Sequence, residues 1–369
     1  MRLSVALCLL FALRCTAQYP DPVSADFTIR DFHFASGESL PELRLHYRTI
    51  GELKKDRNGK ATNAVLILHG TTGSGAGFLS SRFAGKLFGP GQPLDASKYF
   101  LILPDAIGHG ASAKPSDGLR ARFPRYTYAD MVDAQHRLVT EGLGVSHLRL
   151  VMGTSMGGMH TWSWAVRWPD EMDALFPLAS APVELAGRNR ALRWMISNAI
   201  RNDPTWNNGD YTEPPRSFDG ALYALFFMVS SPGEQHREAP SRDEADRYME
   251  NWIANERRLL DANDMLYAFE ASRDYDPSPY LEKIRAPLFA VNSADDEVNP
   301  PELGILEREM KRVAKGRYIL IPTGPDTRGH GTHSLPAVWG KYLSDLLAAT
   351  AQPVRRPGTI AKGPLPRTR

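Results

Sequence analysis

Ten residues, Leu-Arg-Leu-Val-Met-Gly-Thr-Ser-Met-Gly at positions 148–157, decide the fold of this chain. Residues 148–152 have the apolar pattern of a buried parallel strand, and a helical pattern begins at Met156. Ser155 is therefore predicted at a sharp strand-to-helix turn, the context in which Gly-x-Ser-x-Gly presents a nucleophile. Gly153 and Gly157 are expected because side chains there would clash with the neighbouring strand and helix. The alternative is a phosphate-binding turn, but the spacing matches neither the Rossmann nor the P-loop pattern.

Strand and helix patterns alternate on both sides of this turn. Further buried-strand patterns occur at 64–68, 99–103, 174–178, 287–291 and 318–321, and two edge strands are predicted at 27–34 and 43–53. Helical patterns occur at 128–141, 156–168, 301–313 and 335–349. Parallel strands need helical crossovers, so this alternation predicts an α/β fold with a mostly parallel eight-stranded sheet and helices on both faces.

The alternation stops between residues 183 and 283, which have no clear strand pattern. Helical patterns at 188–201, 221–229 and 244–269 predict a helical cap inserted into a core formed by 18–182 and 284–351. We expect most of the large apolar residues of the insertion to form the core of the cap, and some to line a pocket. They are Trp194, Met195, Phe226, Phe227, Met228, Trp252 and Tyr267.

The composition is that of an ordinary globular protein, with 369 residues of which 42% are hydrophobic and 23% charged. No apolar run approaches the roughly 20 residues that a membrane-spanning helix needs, so we expect no integral membrane segment. Residues 1–17 predict a signal peptide: Arg2 precedes an apolar stretch, and small residues end at Ala17. We therefore expect cleavage near Ala17 and a secreted or periplasmic protein. A lipid anchor on Cys15 is disfavoured because Arg14 precedes it.

Both cysteines, Cys8 and Cys15, lie in this leader. The mature chain then has no disulfide framework, cysteine nucleophile or thiolate metal site. Residues 352–369 are basic and rich in proline, which predicts a disordered tail. The remaining body is mildly acidic, so we do not expect nucleic-acid binding. We also expect no cofactor.

A serine nucleophile needs a histidine base, which in this kind of fold follows the acid in the chain. Only His236, His330 and His333 follow Ser155. His236 precedes the strand expected to carry the acid, which leaves the other two. His330 is favoured because it is nearer the end of the last strand and glycines flank it. His333 is expected to begin the final helix, next to the base.

The acid is expected just after the strand at 287–291, where three carboxylates are adjacent. Asp295, Asp296 and Glu297 all qualify by residue type. A metal site built from these carboxylates is the alternative, but no spaced histidine or aspartate completes a recognisable set of ligands. We therefore expect no metal.

An oxyanion hole is predicted from two backbone N–H groups. One is that of Met156, directly after the nucleophile. The other comes from the glycine-rich loop at 68–73, where Thr71 is the candidate. A plain turn is the alternative interpretation of this loop.

Residues 153–160, Gly-Thr-Ser-Met-Gly-Gly-Met-His, resemble the Gly-Gly-Ser-Met-Gly-Gly-Met-Gln motif of homoserine O-acetyltransferases, a group within the α/β-hydrolase superfamily. Further stretches that resemble this group lie at 123–124, 130–135, 199–206 and 209–211. The resemblance implies an α/β-hydrolase fold over nearly the whole mature chain. The acid of that family lies in an Asp-x-x-x-Pro-Pro-Glu pattern, which selects Asp296. Its base follows a glycine, as His330 does here.

The chain departs from the acetyltransferase pattern at three places. Residues 108–115 resemble the loop of ordinary α/β hydrolases, Thr154 replaces a glycine and His160 replaces a glutamine. With the predicted export, these changes favour water over homoserine as the acyl acceptor. We therefore expect a serine hydrolase that acts on a small ester or acyl compound through an acyl-serine intermediate. The alternatives are an O-acyltransferase with an alcohol acceptor and an inactive binding module. A homodimer through the cap is a further hypothesis.

Overall fold

The computed structural model describes residues 19–351. The predicted signal peptide at 1–17, with both cysteines, and the predicted tail at 352–369 lie outside the described residues. Within the described range, no helix combines the length and the apolar character needed to cross a membrane.

The eight strands form one sheet in the order β1-β2-β4-β3-β5-β6-β7-β8. They are β1 (Val23–His33), β2 (Ser39–Ile50), β3 (Ala64–Leu68), β4 (Phe100–Pro104), β5 (Leu150–Thr154), β6 (Leu175–Leu178), β7 (Leu288–Ser293) and β8 (Gly316–Ile321). β2 runs antiparallel to β1 and β4, and the other pairs are parallel. The predicted mostly parallel eight-stranded sheet is therefore confirmed.

Helices cover both faces of this sheet, as predicted. The α-helices are α1 (Ala84–Leu87), α2 (Tyr128–Arg137), α3 (Met156–Arg167), α4 (Gly187–Arg201), α5 (Phe218–Val229), α6 (Pro232–Glu238), α7 (Arg242–Leu259), α8 (Ala262–Glu270), α9 (Ile305–Glu309) and α10 (Pro336–Ala349). Successive side chains of a strand point to opposite faces. In β5, Met152 packs with Trp339 of α10, whereas Val151 packs on the other face with Trp162 of α3.

Two predicted helices are each interrupted. The helix predicted at 244–269 is two helices, α7 and α8, because Leu260 and Asp261 have extended backbone. The Asp261 side chain caps α8 by accepting the N–H groups of Asn263 and Asp264. The helix predicted at 301–313 is reduced to α9 between two 3₁₀ turns, because Gly304 adopts a left-handed conformation with φ of 62°.

Helices α4 to α8 fall between β6 and β7; α4, α5 and α8 share a hydrophobic cluster, and α7 packs against it. Met228 is buried in this cluster and Phe226 is buried next to Trp252, but the expectation for three other large residues was wrong. Trp194, Met195 and Phe227 are 57%, 50% and 51% exposed. The reason is that α4 and α5 pack against each other through different faces, which carry residues such as Ile196 and Leu222.

Candidate active site

Ser155 occupies the predicted turn between β5 and α3. Its backbone has φ of 53° and ψ of −112°, a strained conformation for a residue with a side chain. An added Cβ at Gly157 would overlap the carbonyl oxygen of Leu68, and one at Gly153 would overlap that of Gly157. The prediction that these glycines prevent clashes is confirmed. The strained turn lifts the Ser155 hydroxyl out of the sheet.

His330 lies in the loop after β8, and its imidazole reaches the serine. Its Nε2 is 2.8 Å from Ser155 Oγ, and its Nδ1 is 3.0 Å from Asp296 Oδ2. A carboxylate can only accept, so the Nδ1–H donates to Asp296 and Nε2 is left to accept the serine hydroxyl. Gly329 has φ of 55°, and a Cβ there would lie 2.7 Å from Ser231 Cβ. Glycine is therefore required for the approach of His330.

Asp296 is buried, with 1% of its surface exposed. Its Oδ1 accepts the backbone N–H groups of Val298 at 2.8 Å and Asn299 at 3.2 Å, and its Oδ2 accepts the Asn299 side-chain amide at 3.2 Å. Burial by itself raises the pKa of Asp296, but His330 and these hydrogen bonds hold it below its ordinary value. The carboxylate therefore remains ionised beside the imidazole.

The other two candidate acids have different partners. Asp295 accepts hydrogen bonds from the side chains of Ser293 and Thr327 and, at 2.9 Å, from the Gly329 N–H. It thus holds the loop that carries His330. Glu297 pairs with Arg188 of α4. Neither carboxylate bonds to the His330 imidazole.

His333 stands next to the base but does not touch the serine. It lies in a 3₁₀ turn, Gly331–Ser334, that precedes α10, so the expectation that it begins the final helix was wrong. Its ring centroid is 5.2 Å from that of His330, and its Nδ1 has no hydrogen-bond partner within residues 19–351. Burial lowers the pKa of His333 to about 3, so this imidazole is neutral at ordinary pH.

The loop after β3 lies beside the nucleophile because Leu68 pairs with Gly153 across β3 and β5. A Cβ added at Gly70 would lie 3.5 Å from Ser155 Cβ. Met156 is the first residue of α3, so its N–H has no acceptor within the helix. The backbone N–H of Thr71 likewise makes no hydrogen bond to any described residue. The sequence-predicted donors thus flank Ser155 from two elements.

Two buried histidines that sequence reasoning missed hold this loop. His109 Nε2 contacts the carbonyl oxygen of Thr71, and its Nδ1 is 2.9 Å from that of Ile107. His69 Nε2 accepts the N–H of Ala106 at 3.0 Å. Burial lowers the pKa of His69 to about 4, so it stays neutral and accepting. The available signal was that each histidine directly precedes a glycine after a strand.

A cavity of about 650 Å³ opens over Ser155 and His330. The core contributes many hydroxyl groups to it, including Thr71, Thr72, Ser74, Ser80, Ser81 and Ser334. The cap contributes Arg193, Leu225, Met228, Val229, Trp252, Glu256 and Phe269. Sequence reasoning predicted Trp252 as a candidate for this lining but missed Arg193.

Comparison with known proteins identifies a matching family and relatives of similar sequence. A family model for the alpha/beta hydrolase fold matches residues 63–324. A probable acyltransferase of Methanothermobacter thermautotrophicus is 33% identical, over 80% of this chain and 89% of its own length. A homoserine O-acetyltransferase of Geotalea daltonii is 30% identical, over 79% of this chain and 88% of its own.

Solved structures share the fold at lower identity. A homoserine O-acetyltransferase from Bacillus anthracis superimposes with a TM-score of 0.76 at 20% identity, covering 88% of this chain and 97% of that one. An acetylester hydrolase from Corynebacterium glutamicum also has a TM-score of 0.76, at 22% identity, covering 88% of this chain and 96% of that one. At these identities the likeness concerns the fold.

Proposed function

Since the chain belongs to the α/β-hydrolase superfamily and its homoserine O-acetyltransferase-like family, we propose that it hydrolyses a small acyl ester through an acyl-serine intermediate. It is an enzyme of the serine hydrolase type. The observation that carries the proposal is the hydrogen-bonded chain from Ser155 Oγ through His330 to Asp296, with contacts of 2.8 and 3.0 Å.

In the proposed acylation, Ser155 Oγ attacks the ester carbonyl carbon while His330 Nε2 takes the hydroxyl proton. Asp296 stabilises the imidazolium that forms. The N–H groups of Thr71 and Met156 donate to the oxyanion. When the tetrahedral intermediate collapses, the bond from carbon to the leaving oxygen breaks. His330 gives its proton to the departing alcohol, and Ser155 carries the acyl group.

In the proposed deacylation, water enters the cavity and His330 takes its proton as the water oxygen attacks the acyl carbon. The carboxylic acid leaves, and the proton returns to Ser155. The hydroxyl groups around the serine suit a site that holds water. Trp194 and Phe227, two of the large apolar residues of the cap, face solvent and do not line the cavity, whereas Trp252 does. An acyl-enzyme in this cavity is therefore open to hydrolysis.

A second candidate function is O-acyl transfer to an alcohol. It is favoured by the curated relatives at 30–33% identity, whose names describe acyltransferases. The two functions share the acyl-serine step and differ only in whether water or an alcohol resolves it.

The division of the acyl group between water and homoserine distinguishes hydrolysis from acyl transfer. The enzyme would be given an acetyl ester, or acetyl-CoA, with and without homoserine, and both acetate and O-acetylhomoserine would be measured. We expect acetate release that does not depend on homoserine. Transfer to homoserine faster than hydrolysis would instead establish the acyltransferase. Ser155→Ala should abolish either reaction, with a loss in kcat on the order of 10⁴-fold or more.

A fluorophosphonate probe addresses the remaining alternative, an inactive binding module. The probe should label Ser155 in the wild-type protein and leave Ser155→Ala unlabelled. Absence of labelling in folded wild-type protein would support the binding module.

We also propose export, on the basis of the leader at residues 1–17. The protein secreted by an expressing bacterium should begin at or near Gln18. Edman sequencing of the periplasmic or extracellular fraction tests this directly. Recovery of an uncleaved chain in the cytosol alone would contradict it.

A further inference from the structure

Arg193 of α4 is a buried cation without an anionic partner. Only 1% of its surface is exposed. Its Nε donates to Asn189 Oδ1 at 2.8 Å, its Nη1 donates to Ser272 Oγ at 3.2 Å, and its guanidinium carbon lies 5.4 Å from the ring centre of Phe269. All three neighbours are neutral. No carboxylate among residues 19–351 lies within ion-pair distance of this guanidinium.

The acid of this region, Glu270 at the end of α8, is already engaged. Its carboxylate oxygens lie 3.7 Å from Arg190, 3.2 Å from Arg201 and 2.6 Å from Arg273. It also accepts the hydroxyl of Ser197, one turn beyond Arg193. Glu270 therefore does not compensate the charge of Arg193, and Glu256, the carboxylate that lines the cavity, forms no ion pair with Arg193 either. Keeping an uncompensated guanidinium out of water is costly, which indicates that its counter-ion comes from outside the protein.

The position of Arg193 shows where such an anion would sit. Arg193 lines the same cavity as Ser155 and His330. The hydroxyl of Tyr128 is buried and lies next to Arg193 and Thr71. Burial raises the pKa of Tyr128, so this hydroxyl keeps its proton and can donate. Arg193, which sequence reasoning did not select, thus lines the cavity over the nucleophile, and the Tyr128 hydroxyl lies beside its guanidinium.

We propose that Arg193 binds a carboxylate of the substrate in this cavity, so that the ester this enzyme hydrolyses is an anion. A carboxylate fits better than a phosphate dianion, because one uncompensated guanidinium supplies one charge, and two of its nitrogen atoms already have neutral partners. Charge-assisted hydrogen bonds of this kind orient a planar carboxylate. The inference rests on the proposed hydrolase function and specifies its substrate class. The carboxylate belongs either to the alcohol part or to the acyl part of the ester.

Matched esters distinguish these two sources. For the alcohol part, 4-acetoxybutanoate would be compared with its methyl ester. For the acyl part, monoethyl succinate would be compared with diethyl succinate. We expect the wild-type enzyme to favour the charged member of one pair by about 10- to 100-fold in kcat/KM, the range of a charge-assisted hydrogen bond. Arg193→Met and Arg193→Gln should remove that preference, because they should slow hydrolysis of the charged ester much more than that of its neutral partner.

Arg190→Met is the matched control, since Arg190 is on the same helix but pairs with Glu270. It should keep the preference. A wild-type enzyme with no preference in either pair would overturn the inference, as would an Arg193→Met protein that loses activity equally on charged and neutral esters. The latter result would show a purely structural role.

A binding measurement makes the test independent of turnover. In the Ser155→Ala background, succinate or 4-hydroxybutanoate should raise the melting temperature when Arg193 is present and not when it is methionine. An equal effect on both proteins, or none on either, would overturn the carboxylate site. If the binding difference is found but wild-type Ser155 neither turns over the neutral esters nor reacts with a fluorophosphonate, the proposed hydrolysis fails and the carboxylate site stands.

Discussion

Asp296→Asn should inactivate the enzyme by reversing the tautomer of His330. Two backbone N–H groups donate to Oδ1 of Asp296, at 2.8 and 3.2 Å. In the variant, the amide oxygen must therefore occupy the Oδ1 position, which places the NH₂ group at Oδ2. Oδ2 is 3.0 Å and Oδ1 is 3.1 Å from His330 Nδ1, so the nearer of the two groups becomes a donor in the variant. A donor at Oδ2 favours the tautomer that accepts at Nδ1 and carries its proton on Nε2, which faces the Ser155 hydroxyl at 2.8 Å. The base can no longer take the serine proton.

The size of the effect follows from two losses. Loss of a charge-assisted hydrogen bond to the imidazolium costs about 1.5–3 kcal/mol, and holding the wrong tautomer adds roughly 2 kcal/mol. At about 1.4 kcal/mol for each factor of ten, kcat should fall by about 300- to 4,000-fold. KM should change little, because Asp296 does not line the cavity above Ser155. Steady-state hydrolysis of p-nitrophenyl acetate at pH 7.5, with circular dichroism to establish folding, measures this.

Asp295→Asn is the matched control, since it makes the same chemical change at the adjacent residue. Asp295 bonds to the loop and not to the imidazole, so we expect a loss of about tenfold or less. Equal losses of activity in the two variants, or an Asp296→Asn enzyme that keeps more than a tenth of wild-type kcat, would contradict a role of Asp296 in setting the His330 tautomer.

Three further predictions concern the base, the turn and the cap. His330→Ala should lower kcat by on the order of 10⁴-fold, whereas His333→Ala should keep measurable activity in the same ester assay, and the reverse ranking would move the base to His333. Gly157→Ala places a Cβ against a backbone carbonyl and should destabilise the fold by about 1–3 kcal/mol in urea unfolding, whereas Gly85→Ala, which meets no atom within 4 Å, should not. Burial raises the pKa of the Asp264 carboxyl to about 6. The protonated carboxyl therefore contributes fully to the free energy of unfolding at low pH, and this contribution is lost as the pH rises through 6. The stability of the wild type relative to Asp264→Asn should therefore fall by up to about 3 kcal/mol between pH 4 and 8, and a pH-independent difference would contradict the assignment.

The features that could be predicted from the sequence are those that depend on neighbouring residues along the chain. The strand-to-helix turn at Ser155 could be predicted because an apolar run, two glycines and a helical pattern are contiguous. The alternation of strands and helices predicted the sheet for the same reason, since burial and periodicity are local signals. Chain order reduced the histidine candidates to His330 and His333. The acid that pairs with the histidine could not be chosen in this way, because the three adjacent carboxylates Asp295, Asp296 and Glu297 have the same local pattern. The family resemblance was needed to select Asp296.

The contacts between side chains of elements that are distant in sequence could be learned only from the tertiary structure. Asp295 and Asp296 are adjacent, yet one bonds to the loop and the other to the imidazole, because the turn after β7 directs their side chains differently. Trp194 is exposed and Arg193 buried on the same helix, the opposite of what their polarity suggests. A helical position is buried or exposed according to what packs against it, and a charge is compensated or not according to groups far away in sequence. The carboxylate site proposed at Arg193 depends on those two facts, neither of which the sequence of α4 contains.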